Sequence, residues 1–301
     1  MSAWLTIDDY RAGGWVGGID TAARSREYCA QLEAGEILYF SSPPFDLAPA
    51  DVDFLVSLEP ADSRLHKNIS YRPDSDVLRG LADGNKAHVH QIMRGYAAAV
   101  RGFVSGFLAP YAGKFQMDYS SFRPLEEEGR NLSLHKRNDL LHVDAFPSRP
   151  TRGARILRVF TNVNPAKDRV WMVGERFPKL AARFAGAAGL KKYADGGPWS
   201  RLKRGLSRVL LPDRAPYDEF MLHFHDWLKE NSEFQGAKEG KERVAFPPLA
   251  TWLVYTDGVP HAALSGQFAM EQTFIVPVEA LVAPEVAPIR VLEKLAGRAM
   301  N

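Results

Sequence analysis

The chain lacks the features typical of disulfide-bonded, membrane-spanning, secreted and nucleic-acid-binding proteins. Its single cysteine, Cys29, cannot form an internal disulfide, as expected in a reducing compartment. No apolar run approaches the roughly 18 residues of a membrane-spanning helix. The N-terminal region carries Asp8 and Asp9 where a signal peptide needs an apolar core, which favours a cytoplasmic protein. A net charge of only +2 gives no support to general nucleic-acid binding, so any basic surface is local.

The composition instead indicates one large folded unit. Hydrophobic residues make up 46% of 301 positions, enough for a substantial core in a single domain. The longest helical pattern runs from about 76 to 111 with a break near Gly84, and its apolar residues recur every three or four positions. After Pro110, short apolar or alternating runs separated by Pro, Gly and Asn predict many short strands. We expect one domain, 1–301, with mostly helical support in 1–115, strands in 116–173 and 244–280, and a helical insert in 174–243.

A His-x-Asp pair within DLLHVDAF carries the first chemical signal. In an extended strand, His142 and Asp144 point to the same face and can reach one ion together. The best third ligand is His261, in DGVPHAALSGQ between two strand-like runs. Two histidines and one carboxylate on one side of a metal form the facial arrangement of non-haem Fe(II) oxygenases.

Other histidine pairs fit a metal site less well. His88 and His90 fall within a helical pattern, where residues two apart face different directions. His223 and His225 share this defect if their segment is helical, although they remain a reserve for the third ligand.

Arginines on the next apolar run suggest that the site binds an anion. Arg155 and Arg158 lie on opposite faces of this strand, so only one should enter the site. A guanidinium group can grip a carboxylate with two hydrogen bonds. This is what a 2-oxo acid cosubstrate would require.

Four stretches together resemble one family: HVDAFPSRPTRGARILRVFTNVNP, GVPHAALSGQFAMEQTF, LEAGEILYF and KNISY. They are similar to those of the Kdo hydroxylases, which are Fe(II)- and 2-oxoglutarate-dependent dioxygenases. The resemblance covers about 32–278. It implies hydroxylation at carbon 3 of the terminal 3-deoxy-manno-octulosonic acid (Kdo) sugar of Kdo-lipid A or lipopolysaccharide. Fe(II) would be the bound cofactor, and 2-oxoglutarate and O2 would be consumed as cosubstrates. It also implies an α+β, mainly β fold, a double-stranded β-helix (jelly roll) braced by N-terminal helices.

The resemblance assigns roles to further residues. Many relatives in this superfamily anchor 2-oxoglutarate with an arginine about ten residues after the distal histidine, but this chain has Glu271, Gln272 and Thr273 there. Arg158 becomes the first choice of anchor, with Arg123 as a second cation and Thr273 as a hydroxyl donor. The loop arginines Arg149 and Arg152, just after the ligands, would meet the carboxylate of the acidic sugar; the alternative is that they are ordinary loop arginines.

The insert contains a basic segment with two interpretations. Between 183 and 214, two aspartates oppose eight basic residues: Arg183, Lys191, Lys192, Arg201, Lys203, Arg204, Arg208 and Arg214. One interpretation is a solvated helical face. The other is that RLKRGLSRVLL, with Trp199 just before it, contacts the anionic inner-membrane surface as a peripheral site.

Two other functions compete with the dioxygenase hypothesis. A Zn(II) hydrolase could use the same His142, Asp144 and His261 with one open water position, but no general base is evident beside them. A non-catalytic jelly-roll protein could bind the sugar without turnover.

Overall fold

The computed structural model describes residues 4–58, 68–81, 83–195 and 214–301, which form a mixed α and β architecture. The strands in these residues are β1 (Trp4–Thr6), β2 (Tyr10–Arg11), β3 (Gly14–Trp15), β4 (Ile37–Phe40), β5 (Ile69–Arg72), β6 (Val77–Arg79), β7 (Gln116–Arg123), β8 (Arg155–Asn162), β9 (Arg169–Val173), β10 (Glu242–Phe246), β11 (Thr251–Tyr255), β12 (His261–Ser265) and β13 (Ala269–Val276). The α-helices are α1 (Thr21–Glu33), α2 (Pro49–Ser57), α3 (Lys86–Phe107), α4 (Phe177–Phe184), α5 (Leu190–Ala194), α6 (Pro216–Glu230), α7 (Ser232–Gly236) and α8 (Pro288–Ala296).

A large sheet carries most of the strands, in the order β1-β4-β11-β8-β13-β7-β5-β6. Its neighbours are antiparallel except for β1 and β4, which are parallel. The central strand β8 is buried on both faces, so its side chains alternate between two cores. Leu157 and Val159 join the main core, whereas Phe160 joins a second one.

A small sheet of order β10-β9-β12 covers one face of the large sheet. The second core between them is aromatic: Trp252 of β11 stacks on Phe246 of β10, with ring centroids 3.8 Å apart. Trp171 of β9 meets Trp252 edge-on at 5.4 Å. Packing of large, nearly rigid rings fixes how the two sheets lie on each other.

Residues 1–115 were predicted to be mostly helical support, but they also contribute strands to the large sheet. Four strands of this part, β1, β4, β5 and β6, belong to the large sheet. The helix predicted from about 76 to 111 begins only at Lys86, so this expectation was wrong at its start. Val77–Arg79 instead pairs with β5, and Gly80 has a φ of +89° that a helix does not accept. From Lys86 to Phe107 the helix buries the predicted apolar face.

Helices α4, α5, α6 and α7 lie between β9 and β10 in the described residues. The basic stretch RLKRGLSRVLL and Trp199 lie outside the described residues. Among the helices that the structure describes, none combines the length and apolar character needed to cross a bilayer.

Candidate metal centre

His142 and His261 are held directly opposite each other. They form an antiparallel bridge in which each backbone N–H donates to the other residue's carbonyl, at 3.2 and 2.9 Å. Asp144 is fixed by its own N–H, which donates to the Thr256 carbonyl at 2.8 Å. The bridge extends the small sheet beyond β12, so the backbone positions all three side chains.

The three side chains converge as the sequence predicted. Asp144 Oδ1 lies 3.6 Å from His142 Nε2 and 4.0 Å from His261 Nε2. Both imidazoles have Nδ1 next to a carbonyl oxygen, Leu140 at 2.7 Å and Val259 at 2.9 Å. A carbonyl can only accept, so Nδ1 carries the proton and Nε2 presents its lone pair towards Asp144.

Electrostatics keep this donor set ready for a cation. Burial lowers the pKa of His142, and neighbouring His261 lowers it further. Burial also lowers the pKa of His261. Burial acts to raise the pKa of Asp144, but Arg158 and the two imidazoles outweigh it and lower that pKa. Two neutral imidazoles and a carboxylate therefore face one point. Asp144 Oδ2 lies 2.9 Å from Arg158 Nη2, so Oδ1, which faces the two imidazoles, is the oxygen available to a metal ion.

A third histidine approaches from helix α6. The His225 ring lies 4.7 Å from the His142 ring, and its Nδ1 is 2.8 Å from the Val143 carbonyl. Ligand atoms of His142, Asp144 and His225 all lie within 4.8 Å of one another, so His225 remains a rival for the third position. Its neighbour His223 faces elsewhere and stacks on Tyr193, as expected for residues two apart on a helix.

The earlier pair on α3 is remote from this centre. His88 lies against Phe54, with ring centroids 4.1 Å apart. His90 contacts Asp76 instead, at 2.9 Å. Neither lines the cavity next to Asp144.

A cavity of about 470 Å³ opens beside the three converging side chains. Its lining contains two carboxylates, Asp144 and Asp226, and five cations: Arg123, Lys136, Arg158, Arg169 and Lys229. This excess of positive charge suits anionic ligands.

Strand register explains the cations at the rear of the cavity. In the large sheet, Arg158 is opposite Thr273 and Arg123 is opposite Ala269, so both arginines share a face with Glu271. Arg158 Nη1 lies 2.5 Å from Glu271 Oε1, and its Nη2 lies 2.9 Å from Asp144 Oδ2. Arg123 Nη2 contacts Glu271 Oε2 at 2.6 Å. Burial acts to raise the pKa of Glu271, but the two arginines outweigh it and lower that pKa.

The other predicted arginines and the hydroxyl have different surroundings. Arg155 points away from the cavity to Asp257, at 2.8 Å, in agreement with strand alternation. The Thr273 hydroxyl donates to Glu271 at 3.3 Å and does not line the cavity. Arg149 forms an ion pair with Asp118 outside it. Arg152 is exposed at a φ of +52°, with its backbone N–H donating to Asp218 at 3.0 Å.

Two residues of strand β9 were missed by the sequence reasoning. Arg169 and Trp171 lie two apart on one face of β9, but this spacing alone does not show which cavity that face lines. Buried N–H groups on the cavity residues find no acceptor among the described residues: Arg158 Nε, Arg169 Nε and Trp171 Nε1. Burial and nearby Arg123 lower the pKa of Arg169. Crowded cations and unsatisfied donors fit a carboxylate ligand.

Comparisons with known proteins agree with this chemistry. The family model described as 3-deoxy-D-manno-oct-2-ulosonic acid (Kdo) hydroxylase matches residues 18–299. The solved Kdo hydroxylase KdoO, a non-haem Fe(II) α-ketoglutarate-dependent dioxygenase in complex with α-ketoglutarate and Fe(III), is 32% identical. The match covers 99% of this chain and 97% of that chain, with a TM-score of 0.84. Its cobalt(II) complex matches with the same identity and coverage and a TM-score of 0.85. Comparison with curated proteins gives no significant match.

Proposed function

The chain belongs to the Kdo hydroxylase family, and from this premise we propose that it hydroxylates carbon 3 of the terminal Kdo sugar of Kdo-lipid A or lipopolysaccharide. It is an Fe(II)- and 2-oxoglutarate-dependent dioxygenase. The observation that carries the proposal is the convergence of His142, Asp144 and His261 beside a cation-rich cavity.

We propose that the two sheets form a double-stranded β-helix within a single dioxygenase domain, 1–301. The aromatic core between the sheets supports this, as does the position of His142 and His261 at an extension of the small sheet. In this arrangement 1–115 supports the strands of 116–173 and 244–280, and 174–243 is a helical insert between the ligand strands.

His142, Asp144 and His261 are the proposed Fe(II) ligands. Two neutral imidazoles and one carboxylate form the facial set that leaves positions for other ligands. When bound, Fe(II) with 2-oxoglutarate and O2 supplies oxidation of an unactivated C–H bond, yielding succinate and CO2. His261 is preferred over His225 because its backbone pairs directly with His142, and strand-borne ligands are held more precisely.

The rear of the cavity is the proposed 2-oxoglutarate site. Arg158 and Arg123 supply positive charge, with Thr273 acting through Glu271, to which its hydroxyl donates. The buried N–H groups of Arg169 Nε and Trp171 Nε1 lack acceptors among the described residues, and they would donate hydrogen bonds to a carboxylate of 2-oxoglutarate. Because Glu271 engages both Arg123 and Arg158, it holds their guanidinium groups in place.

The acidic sugar would enter from the loop after Asp144. Arg149 is the better candidate for a sugar contact because it is half-buried beside the rings of Tyr119 and Phe146, whereas Arg152 is exposed. For the same lipid-linked substrate we propose a cytoplasmic protein with peripheral contact to the anionic inner membrane through the basic segment of the insert.

Anaerobic addition of Fe(II) and 2-oxoglutarate tests the proposal. We expect a visible metal-to-ligand charge-transfer band, followed by succinate formation when O2 and a Kdo glycoside are supplied. A Zn(II) hydrolase would give neither signal, and a sugar-binding protein would bind the glycoside without forming succinate.

A further inference from the structure

Helix α6 forms one wall of the cavity beside the metal centre. Four of its side chains line this cavity at the spacing of a single helix face: Leu222, His225, Asp226 and Lys229. The other side of the helix is apolar and packs in the main core. The polar face of α6 is therefore turned towards whatever the cavity holds.

Hydrogen bonds to the ligand-bearing segment fix this wall relative to the metal centre. His225 Nδ1 donates to the carbonyl of Val143, which lies between the first two proposed ligands, at 2.8 Å. One turn later, Lys229 Nζ donates to the carbonyl of His135 at 3.0 Å. Because both bonds join the helix to the segment that carries these ligands, groups on this face of α6 keep a defined position beside the metal.

The polar groups on the strand walls of the cavity are mainly donors. Strands β7, β8 and β9 present Arg123, Arg158 and Arg169, and Trp171 of β9 adds an indole N–H. Guanidinium and indole groups accept no hydrogen bonds, so these four side chains suit a carboxylate ligand and cannot take the proton of a hydroxyl group. Asp226 on α6 has the opposite character, since a carboxylate only accepts.

The Asp226 carboxylate has no other role in the described part of the chain. No described residue donates a hydrogen bond to it or forms an ion pair with it. It is also outside the group of converging ligand atoms from His142, Asp144 and His225. The other carboxylate of the cavity, Asp144, is committed to the metal and to Arg158. Asp226 is therefore the carboxylate that a ligand in this cavity can use.

We infer that Asp226 is a specificity-determining residue that accepts hydrogen bonds from hydroxyl groups of the sugar held beside the metal centre. This inference rests on the proposed function, because it needs a sugar at that place. Each carboxylate oxygen is an acceptor, so two neighbouring hydroxyl groups can bind at once, and such charge-assisted bonds are about twice as strong as neutral ones. The strand arginines then bind 2-oxoglutarate, while α6 selects the hydroxyl pattern of the sugar.

Anaerobic binding measurements test this inference without turnover. The protein loaded with Fe(II) and 2-oxoglutarate is titrated by calorimetry with a soluble saccharide ending in Kdo, and with analogues that carry hydrogen in place of the hydroxyl on carbon 4, 5, 7 or 8 of that sugar. We expect at least one replacement to weaken binding to the wild type by about tenfold or more, as for one lost charge-assisted hydrogen bond.

Variants at this position show whether the discrimination comes from the carboxylate. In Asp226→Ala the same hydroxyl replacement should cost nothing further, and Asp226→Asn, which keeps one acceptor oxygen, should restore part of the discrimination. Glu219→Gln is the matched control, because Glu219 lies two turns earlier on the same helix and does not line the cavity. It should keep the full discrimination, and Fe(II) should bind equally well to all of these variants.

Because the readout is a ratio of affinities within each variant, a smaller folded fraction does not change it. The inference is overturned if no analogue binds the wild type more weakly than the parent saccharide, or if the discrimination is the same in Asp226→Ala. Loss of Fe(II) in Asp226→Ala would also overturn it, by making Asp226 a metal ligand. Admission of O2 tests the proposed function separately: succinate formed with the parent saccharide supports that function even when discrimination is independent of Asp226. A wild-type protein that neither binds nor oxidises the parent contradicts both.

Discussion

At the scale of single residues, the metal centre depends on which atoms face Asp144. The structure brings three histidines to this carboxylate, all with Nδ1 next to a backbone carbonyl. All three are therefore prepared as Nε2 ligands, although a facial site with two histidines needs only two. The difference between them lies in the backbone: His261 is paired in a bridge with His142, and His225 is carried on a helix.

Removal of individual ligands should separate the two candidates. His142→Ala, Asp144→Ala and His261→Ala should each abolish Fe(II) binding, measured by calorimetry under anaerobic conditions, because a three-ligand site has no spare member. His225→Ala should still bind Fe(II). His223→Ala, two residues away and stacked on Tyr193, serves as the control. Iron binding that survives in His261→Ala but is lost in His225→Ala would reverse the assignment.

Arg158 offers a second test at this scale. Its guanidinium group contacts both Asp144 and Glu271, so it is held between the proposed metal ligands and the rear of the cavity. Arg158→Ala should raise the 2-oxoglutarate concentration needed for half-maximal succinate formation by about one to three orders of magnitude, since a buried charge-assisted contact contributes roughly 1.5 to 3 kcal/mol or more.

Arg158→Lys distinguishes charge from geometry at the same position. The lysine keeps the positive charge but loses the planar fork, so it should recover only part of the affinity. Fe(II) binding should persist in both variants. An unchanged 2-oxoglutarate requirement in Arg158→Ala would transfer the anchoring role to Arg123 or Arg169.

At the scale of elements, side chains alternate between the two faces of a strand, and this alternation explains which predictions from the sequence agreed with the structure. It correctly separated Arg155 from Arg158 on strand β8, and the extended backbone around the isolated bridge of His142 likewise brings His142 and Asp144 together. It could not identify Arg169, since which strand lies across the cavity is decided by long-range pairing of β9 with β10 and β12. The short strands β1, β5 and β6 were missed or left open, because three or four residues give too little periodicity.

The turn between β12 and β13 supports Arg169 and gives a prediction of its own. Gly266 has a φ of +118°, and a Cβ there would lie 2.8 Å from the Arg169 Cα. Its carbonyl accepts from Arg169 Nη1 at 3.0 Å. Gly266→Ala should destabilise the protein by about 1 to 3 kcal/mol in urea unfolding, the usual cost of backbone strain, and should weaken 2-oxoglutarate binding by displacing Arg169.

A second glycine on a helix provides the contrast. Gly102 lies within α3, and a Cβ there meets nothing within 4 Å. Gly102→Ala should therefore raise stability by up to about 1 kcal/mol, since alanine is the better helix former. Equal effects of the two substitutions would show that the Gly266 turn carries no strain.

At the scale of the whole molecule, the charges are distributed unevenly although they nearly cancel. The net charge is +2, yet the segment from 183 to 214 holds eight basic residues and two aspartates. A solvated helical face and a membrane contact make different predictions about salt.

The membrane interpretation predicts binding that falls with ionic strength. If Lys203, Arg204 and Arg208 engage anionic headgroups, each contributes about 1 kcal/mol near the surface, and this attraction fades as salt shortens the screening length. Changing all three to Glu should weaken sedimentation with anionic vesicles and slow turnover of a lipid-linked substrate. A short water-soluble Kdo saccharide reaches the metal centre without a membrane, so its turnover should change little. Unaltered vesicle binding together with unaltered lipid turnover in the triple variant would contradict the membrane contact and favour the solvated face, because charge reversal at three positions cannot leave a real electrostatic attraction intact.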